Sequence, residues 1–276
     1  MDEGERPLDL AAYFARIGFD ARPAATLDTL AALHARHAEA IPFENLSPFL
    51  REPVRLDRAS LQDKLVIRQR GGWCFEHNLL FAQVLEAIGF PVRRLAARVR
   101  WNVPAGVVTS RSHMLMQVTI AGEPWIADVG FGGQTLTAPL RLAADAEQPT
   151  PHETYRLTPE ASGFVLEARM PQGWQALYFF ELHEQQLADY EVSNWYLAHH
   201  PQSQFVNGII AARAAADRRH ALRNTRYAIH HRDGTTERRE IASVAELRAV
   251  LAGEFRIPLP DHPRLDERLA EVVSGR

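Results

Sequence analysis

The chain carries its one cysteine in the stretch Arg70-Gly71-Gly72-Trp73-Cys74-Phe75-Glu76-His77-Asn78, where a glycine-containing loop passes into an amphipathic helix. We expect this helix to begin at Cys74 and to end at Gly89, with Pro91 just beyond. The first turn of a helix has unpaired N–H groups and a positive dipole end, and both favour a thiolate over a thiol. Arg70 adds a positive charge nearby. The stretch therefore predicts a reactive cysteine.

A lone cysteine has a simpler interpretation, as a small buried apolar residue. Gly71 and Gly72 argue against that interpretation, because glycine allows close backbone approaches that suit a loop presenting one side chain to a ligand. Their own simpler role is to break the chain. We treat Cys74 as the candidate nucleophile.

The composition limits the classes to which the chain can belong. Its 276 residues are 46% hydrophobic, enough for two or three packed layers or lobes. The net charge of −3 provides no basic field that would collect nucleic acid or an anionic membrane, and no apolar run approaches the ~20 residues of a membrane span. We therefore expect small-molecule or protein partners.

One cysteine excludes an internal disulfide and a four-cysteine zinc site. Residues 1–6 are charged and no apolar core follows them, so we expect no signal peptide and a cytoplasmic location. Three pairs of histidines are predicted to lie on the solvated surface and to hold no metal, because carboxylate or cysteine ligands at suitable spacing are lacking. These pairs are His34 with His37, His199 with His200, and His230 with His231.

The first third of the chain has helical periodicity. Asp9 is the predicted N-cap of a helix that Gly18 ends, a second helix ends before Pro42, and a third begins near Asp57. From residue 91 onward the pattern is typical of short strands separated by glycine or proline. Strands are predicted at 92–101, 113–120, 125–131, 154–157, 163–168 and 174–180. Such a row of antiparallel strands predicts a β-sandwich or barrel.

The end of the chain is predicted to be a small α/β unit. Asp233-Gly234 is a hairpin signal between two strand-like runs, and Ser243 with Glu246 forms a capping box for a further helix. The fold class is therefore α+β. The predicted domains are a helical domain over 1–90 that carries the nucleophile, a β domain over 91–192, an interdomain segment over 193–212 and an α/β domain over 213–276.

A cysteine nucleophile works best beside a base, with a third group that orients the base. His113 opens one predicted strand, and Asp128 lies near the end of the next. If Ala121-Gly122 is a two-residue turn, the register makes His113 and Asp128 diagonal neighbours on one face. A buried carboxylate needs such a partner, and it would favour the imidazolium and thereby the Cys74 thiolate.

His77 is the rival base, because a residue three positions after Cys74 lies on the same side of a helix. Its side chain points along the helix surface, however, and no carboxylate is evidently placed to orient it. Replacement of each histidine would separate the two alternatives.

Two other sequence features are expected to lie near Cys74, His113 and Asp128. Gly130-Phe131-Gly132-Gly133 can wrap a phosphate-bearing ligand through its amides or serve as a flexible turn, and it lacks the lysine of a nucleotide-binding loop. Glu44 and Arg70 are a charged pair that we expect to be buried together as structural support for the site.

These residues resemble the arylamine N-acetyltransferases. The stretch around Cys74 resembles the nucleophile motif of that family, Ser112-His113-Met114-Leu115 its histidine strand, and Asp128-Val129-Gly130-Phe131-Gly132-Gly133 its aspartate loop. Further matching segments are Ile41-Pro42-Phe43-Glu44-Asn45-Leu46, His200-Pro201-Gln202-Ser203-Gln204-Phe205, and Asp233-Gly234-Thr235 with Glu237-Arg238-Arg239. The resemblance spans nearly the whole chain, in the right order.

The resemblance implies an enzyme with a helical domain, a central antiparallel β-barrel and an α/β lid around a papain-like cysteine core. It implies that acetyl-CoA acetylates Cys74, with His113 as the base and Asp128 as the orienting acid. The acetyl group then passes to an arylamine or hydrazine, so that the reaction is of the ping-pong type. No metal is implied.

By the same resemblance, Val99, Phe131 and Phe205 match positions that line the aromatic-amine pocket of the family. Gly132 and Gly133 are expected contacts of CoA. One departure is the segment 197–200, Leu-Ala-His-His, where the family more usually has small hydroxyl residues. This departure bears on the shape of the amine pocket and not on the triad.

Three alternatives to this function remain open. The same triad serves an amide synthase that closes a macrocycle, or a cysteine hydrolase that uses water. A non-catalytic binder whose Cys74 senses the redox state is the third.

Overall fold

The structure is a computed structural model that describes residues 7–104 and 106–275. The charged segment 1–6, where we predict no signal peptide, lies outside the described residues. Within the part that is described, no helix is long and apolar enough to cross a membrane.

The first part of the chain is helical, as predicted. Its elements are α1 (Leu10–Ile17), α2 (Leu27–Ala40), a short strand β1 (Phe43–Glu44), α3 (Leu46–Phe49), α4 (Arg58–Gln62) with a π-helical turn (Asp63–Ile67), and α5 (Cys74–Ile88). Asp9 caps α1 by accepting a hydrogen bond from the N–H of Ala12. Gly18 ends α1 and Gly89 ends α5, both in the left-handed conformation, at φ 66° and 103°. Local caps therefore explain these helix ends.

An eight-stranded antiparallel sheet forms the middle of the molecule. Its strands are β2 (Val92–Val99), β3 (Arg111–Ile120), β4 (Glu123–Ala127), β5 (Leu140–Arg141), β6 (Gln148–Pro149), β7 (Thr154–Glu160), β8 (Gly163–Met170) and β9 (Gly173–Glu184). They lie in the order β5-β4-β3-β2-β9-β8-β7-β6. The two edge strands meet through the side-chain amide of Gln148, which bonds the N–H and the C=O of Arg141 at 2.7 and 2.9 Å. The sheet therefore curves into a nearly closed barrel, as the resemblance implied.

A second antiparallel sheet joins the start of the chain to its end. Its strands are β1, β10 (Ile210–Ala214), β11 (Arg218–Arg223), β12 (Arg226–His231) and β13 (Thr236–Glu240), in that order, and α8 (Val244–Gly253) and α9 (Leu265–Ser274) pack against it. The predicted hairpin at Asp233-Gly234 is confirmed. So is the Ser243 cap, whose hydroxyl accepts from the N–H of Glu246 at 3.2 Å.

The sequence does not predict helix α6 (Leu187–His199). Together with α7 (Gln204–Asn207) it fills most of the segment that we expected to be a connection. Its buried stripe is narrow, at Tyr190, Asn194 and Ala198, whereas Trp195 is 63% exposed, so the helix lacks a wide apolar face. α6 also crosses the boundary predicted between residues 192 and 193, and the domain boundaries remain predictions.

The hairpin of β3 and β4 has the predicted register, but its second strand ends earlier than predicted. Ile120 pairs with Glu123 across Ala121-Gly122. We expected a strand through Phe131, whereas β4 ends at Ala127. Asp128 is therefore the first residue of the loop that follows the barrel strand.

Candidate active site

Cys74 is the first residue of α5, and its side chain is buried with 8% of its surface exposed. Its sulfur lies 3.6 Å from the carbonyl oxygen of Ser112, the residue before His113 on β3. A Cβ atom added to Gly71 would stand 2.0 Å from the carbonyl oxygen of Pro42, and one added to Gly72 would stand 2.7 Å from a Glu76 oxygen. Glycine is therefore required at both positions, as the sequence analysis expected of a closely packed loop.

His113 connects Cys74 to Asp128. The Nε2 atom of His113 donates to Oδ2 of Asp128 at 2.7 Å, which leaves Nδ1 as the ring nitrogen available to the thiol. Burial alone would lower the pKa of His113, but the Asp128 carboxylate and hydrogen bonds to Asp128 and Cys74 raise it to about 10. The structure thus brings the three predicted side chains together, with the imidazole close enough to the sulfur for an ionised Cys74 to stabilise its protonated form.

Asp128 is fully buried, and four hydrogen bonds hold its carboxylate. Oδ1 accepts from Nδ2 of Asn78 and from the N–H of Gly130, both at 2.9 Å. Oδ2 accepts from His113 and from the hydroxyl of Tyr178 at 2.9 Å. Burial alone would raise the pKa of Asp128, but His113 and these hydrogen bonds hold it below its ordinary value. The carboxylate is therefore charged and held in one orientation.

Asn78 and Tyr178 are functional neighbours of Asp128 that the sequence did not predict. Asn78 could have been found, because it lies four residues after Cys74 and so on the same face of α5. Its amide also donates to the carbonyl of Met114 at 2.6 Å and accepts from the N–H of Val129 at 3.0 Å, so it joins α5 to both sides of the triad. Tyr178 reaches Asp128 only through the pairing of β9 with β2, for which the sequence has no local signal.

The loop after Asp128 packs directly on α5. A Cβ atom added to Gly130 would stand 2.9 Å from the Cα atom of Cys74. The next residue, Phe131, lies with its ring 5.0 Å from that of His113 and 5.1 Å from that of Tyr178, edge to face in both pairs. The imidazole therefore lies among aromatic rings.

The other residues predicted to bind substrate or CoA lie on separate elements. Val99 ends β2 and pairs with Tyr178. Phe205, on α7, packs edge to face on Trp73 with ring centres 5.3 Å apart. Gly132 has φ +80°, and Gly133 has open space where a Cβ would stand. These positions are compatible with the predicted binding roles, which stay predictions.

The predicted pair of Glu44 and Arg70 is formed and buried. Nε and Nη2 of Arg70 both donate to Oε1 of Glu44, at 2.9 and 2.6 Å. A second pair joins Nζ of Lys64 to Glu76 at 2.7 Å, and the other Glu76 oxygen accepts from the N–H of Trp73. These pairs hold the loop on the N-terminal side of Cys74.

Both ring nitrogens of His77 are engaged elsewhere. Its Nε2 donates to the carbonyl of Pro42 at 3.1 Å, and its Nδ1 accepts from Nε2 of His37 at 2.9 Å. His37 in turn accepts from the hydroxyl of Tyr13 at 2.8 Å. Burial, the largest influence, lowers the pKa of His77 to about 4. This geometry favours His113 over His77 as the base.

The prediction that His34 and His37 lie on the solvated surface is wrong. Both side chains are 0% exposed. Their helix, α2, is covered by α1 on one side and by α5 and the aspartate loop on the other, which a single sequence does not reveal. Among the described residues there is no group of three or more His, Cys, Asp or Glu side chains suited to a metal ion.

The ion pair of His113 and Asp128 has a consequence for stability. The pKa of His113 is about 10 in the folded protein and about 6.5 in the unfolded chain, so folding binds the proton more tightly. The contribution of the imidazolium is fully present below about pH 6.5 and is lost as the pH rises through about 10. We expect the difference in unfolding free energy between the wild type and His113→Gln, measured in urea, to shrink over this window by up to about 1.4 kcal/mol per pH unit. If the difference in unfolding free energy did not depend on pH, it would contradict the assignment of a positive charge to His113 in the folded protein.

Comparisons with known proteins find one family along almost the whole chain. A family model described as N-acetyltransferase matches residues 26–264. The chain is 44% identical to an arylamine N-acetyltransferase of Escherichia coli, over 95% of this chain and 94% of that protein. It is 44% identical to the arylamine N-acetyltransferase of Mycobacterium bovis, over 95% of this chain and 96% of that one.

Solved structures agree as well. The structure of Mycobacterium marinum arylamine N-acetyltransferase in complex with CoA superposes with a TM-score of 0.92 at 41% identity, covering 96% of this chain and 99% of that one. The Salmonella typhimurium enzyme superposes with a TM-score of 0.89 at 39% identity, covering 97% and 98%.

Proposed function

We propose that this chain, which belongs to the arylamine N-acetyltransferase family and is an enzyme of that class, moves the acetyl group of acetyl-CoA to aromatic amines or hydrazines through Cys74. The observation that carries the proposal is the position of His113, bonded to Asp128 at 2.7 Å and next to Ser112, whose carbonyl oxygen lies 3.6 Å from the sulfur of Cys74. A solved relative with CoA bound supports CoA as the carrier of the acetyl group.

In the first half-reaction the Cys74 thiolate attacks the carbonyl carbon of the thioester. The tetrahedral intermediate collapses with cleavage of the bond to the CoA sulfur, and the His113 imidazolium gives its proton to that sulfur. The products are acetyl-Cys74, CoA and neutral His113. Because one thioester replaces another, this step is nearly isoergic and reversible.

In the second half-reaction the amine nitrogen attacks the acetyl carbon of acetyl-Cys74. Neutral His113 takes the proton that the nitrogen loses, and the bond to the Cys74 sulfur breaks. The thiolate and the imidazolium are thereby restored. The amide product is more stable than a thioester, so this step drives turnover.

Both half-reactions place negative charge on the carbonyl oxygen of the acetyl group. Backbone N–H groups at the start of α5 are the proposed donors to this oxygen, because the first turn of a helix has N–H groups without a helical partner. One well-placed donor contributes about 3 to 4 kcal/mol.

The proposed acceptor site is the aromatic wall around the triad. Phe131, Val99 and Phe205 are its proposed lining, and Gly132 and Gly133 are proposed to contact CoA. Aryl amines are weakly basic and stay neutral at physiological pH, so an apolar wall binds them in the nucleophilic form. A free thiol and an intracellular acyl donor fit the predicted cytoplasmic location.

The direct test is incubation of the enzyme with acetyl-CoA and aniline while free CoA thiol and acetylated amine are both measured. We expect the two products in equal amounts. Thiol without acetylated amine would indicate the hydrolase, and thiol released only from a longer acyl thioester that carries its own amine would indicate the amide synthase. If neither product formed, the redox-sensing binder would be the remaining alternative.

His113→Gln is expected to raise the pH at which Cys74 is half-maximally alkylated by iodoacetamide by at least about one unit, because the imidazolium no longer stabilises the thiolate. The measurement is the rate of alkylation as a function of pH. His77→Gln is the control and is expected to leave this midpoint in place. The reverse result would move the role of base to His77.

Phe131→Ala is expected to lower kcat/KM for an aromatic amine about 10-fold more than for a small hydrazine, because the ring that packs on an aryl group is lost. Phe164→Ala removes an equally half-buried ring from the barrel and is the matched control. Equal losses for both acceptors would remove Phe131 from the amine pocket.

A further inference from the structure

We propose that His34 is a positioning residue for the reaction: it holds the main chain of Asp128 and thereby keeps the carboxylate aligned with His113. This inference rests on the proposed function, because it assumes that the triad activates Cys74. His34 lies on α2, is 0% exposed, and has its Nε2 atom 3.2 Å from the main-chain nitrogen of Asp128.

The direction of this hydrogen bond determines the tautomer of His34. A backbone N–H can only donate, so Nε2 must carry a lone pair and the ring proton must be on Nδ1. Burial, the largest influence, lowers the pKa of His34 to about 4 against the effect of Asp128, so the ring is neutral at physiological pH. The titratable groups that face it are Asp128 from the aspartate loop and His37 from its own helix, and Phe81 of α5 covers its edge.

The burial of the Nδ1 proton of His34 indicates that this histidine has a specific role. Nδ1 has no well-formed hydrogen bond to another residue within the described part of the chain, which is an unfavourable state for a buried polar atom. An apolar side chain would remove that unpaired group. It would, however, leave the N–H of Asp128 without its acceptor.

The main chain at Asp128 needs such an acceptor because the strand has ended. Ala127 is the last residue of β4 and pairs with Met116, so Asp128 lies beyond the described ladder. Its N–H donates to His34, and its carbonyl accepts from the hydroxyl of Thr135 at 3.3 Å. Thus His34 holds the main chain on one side of this residue, while four other groups hold the carboxylate.

His37 provides a matched control on the same helix. It lies one turn after His34, is equally buried and also packs on Phe81. Its ring bonds Tyr13 and His77 and not Asp128. Loss of His37 should therefore disturb the helical core to a similar extent without moving the aspartate loop.

The experiment compares His34→Gln, which keeps a strong acceptor, with His34→Met, which has a similar volume and only a weak sulfur acceptor, and with His37→Met. Folding is checked by circular dichroism, and the pH midpoint of Cys74 alkylation by iodoacetamide is measured without acetyl-CoA. We expect His34→Met to raise the midpoint by at least about one pH unit. We expect His34→Gln to recover more than half of that shift and His37→Met to leave the midpoint unchanged. In stopped-flow mixing with acetyl-CoA, His34→Met should slow acetylation about 10- to 100-fold.

The proposal is overturned if His34→Met keeps the wild-type midpoint, if His37→Met shifts it equally, or if His34→Gln behaves like His34→Met. If His34→Met does not fold, nitrogen-15 NMR of the wild-type protein decides, since a proton on Nε2 of His34 is incompatible with the hydrogen bond. The alkylation comparison stands even if acetyl transfer by the wild type fails, so the two failures are distinguishable.

Discussion

Replacing Cys74 by Ser is expected to abolish the acetyl-enzyme and to lower turnover of an arylamine by about 10⁴-fold or more. A serine hydroxyl is not ionised at neutral pH, and the imidazolium of His113 has no anion to stabilise. Intact-protein mass spectrometry after brief mixing with acetyl-CoA measures the first effect, as a gain of about 42 Da in the wild type that Cys74→Ser lacks. Steady-state rates with aniline measure the second.

The substitution exchanges one atom of a buried side chain, so the fold should be retained. The control is thermal unfolding of Cys74→Ser, where we expect a midpoint within a few degrees of the wild type. An adduct of the same mass on the serine variant would place the acetyl group on another residue. Turnover retained without any adduct would mean that the amine attacks acetyl-CoA directly.

Asp128→Asn is expected to lower kcat about 10³- to 10⁴-fold. Burial alone lowers the pKa of His113, and the carboxylate is what reverses that shift, so a neutral amide leaves the ring unprotonated and the thiolate without a counter-ion. The amide nitrogen also meets hydrogen-bond donors in either orientation, His113 and Tyr178 at the position of Oδ2 or Asn78 and Gly130 at the position of Oδ1. The measurement is kcat at neutral pH together with the pH midpoint of Cys74 alkylation.

Tyr178→Phe is the matched control for Asp128→Asn. It removes one of the four hydrogen bonds to the carboxylate and keeps the charge. We expect a loss of about 10-fold or less. If Asp128→Asn were no worse than Tyr178→Phe, the charge of Asp128 would have no part in activating Cys74.

Local sequence signals predicted the elements that end at their own caps or turns. Asp9 and Ser243 accept hydrogen bonds from N–H groups three residues later. Both partners of each cap therefore lie in one short segment, where the sequence can reveal them. The Ala121-Gly122 turn likewise fixes the register of its two strands. That register predicts that His113 and Asp128 are neighbours on one face of the hairpin. The buried contact of Glu44 with Arg70 followed from the need of a buried charge for a partner.

Other features could not be predicted from the sequence because their partners lie far away along the chain. α6 has no wide apolar face, so periodicity does not reveal it. β1 has two residues and pairs with β10, where Phe43 lies opposite Ala212 and Glu44 opposite Ala211, and no local pattern marks a pairing over such a separation. His34 and Tyr178 meet Asp128 over separations of 94 and 50 residues.

The sequence by itself determined the place of Cys74 at a helix start and the pairing of His113 with Asp128, and it predicted Cys74 as the nucleophile, because each follows from neighbours or from one hairpin. Only the tertiary structure decided which groups surround the Asp128 carboxylate and which histidines are buried. Burial and long-range hydrogen bonds depend on how helices and barrel pack together, and packing is a property of the whole chain rather than of any segment.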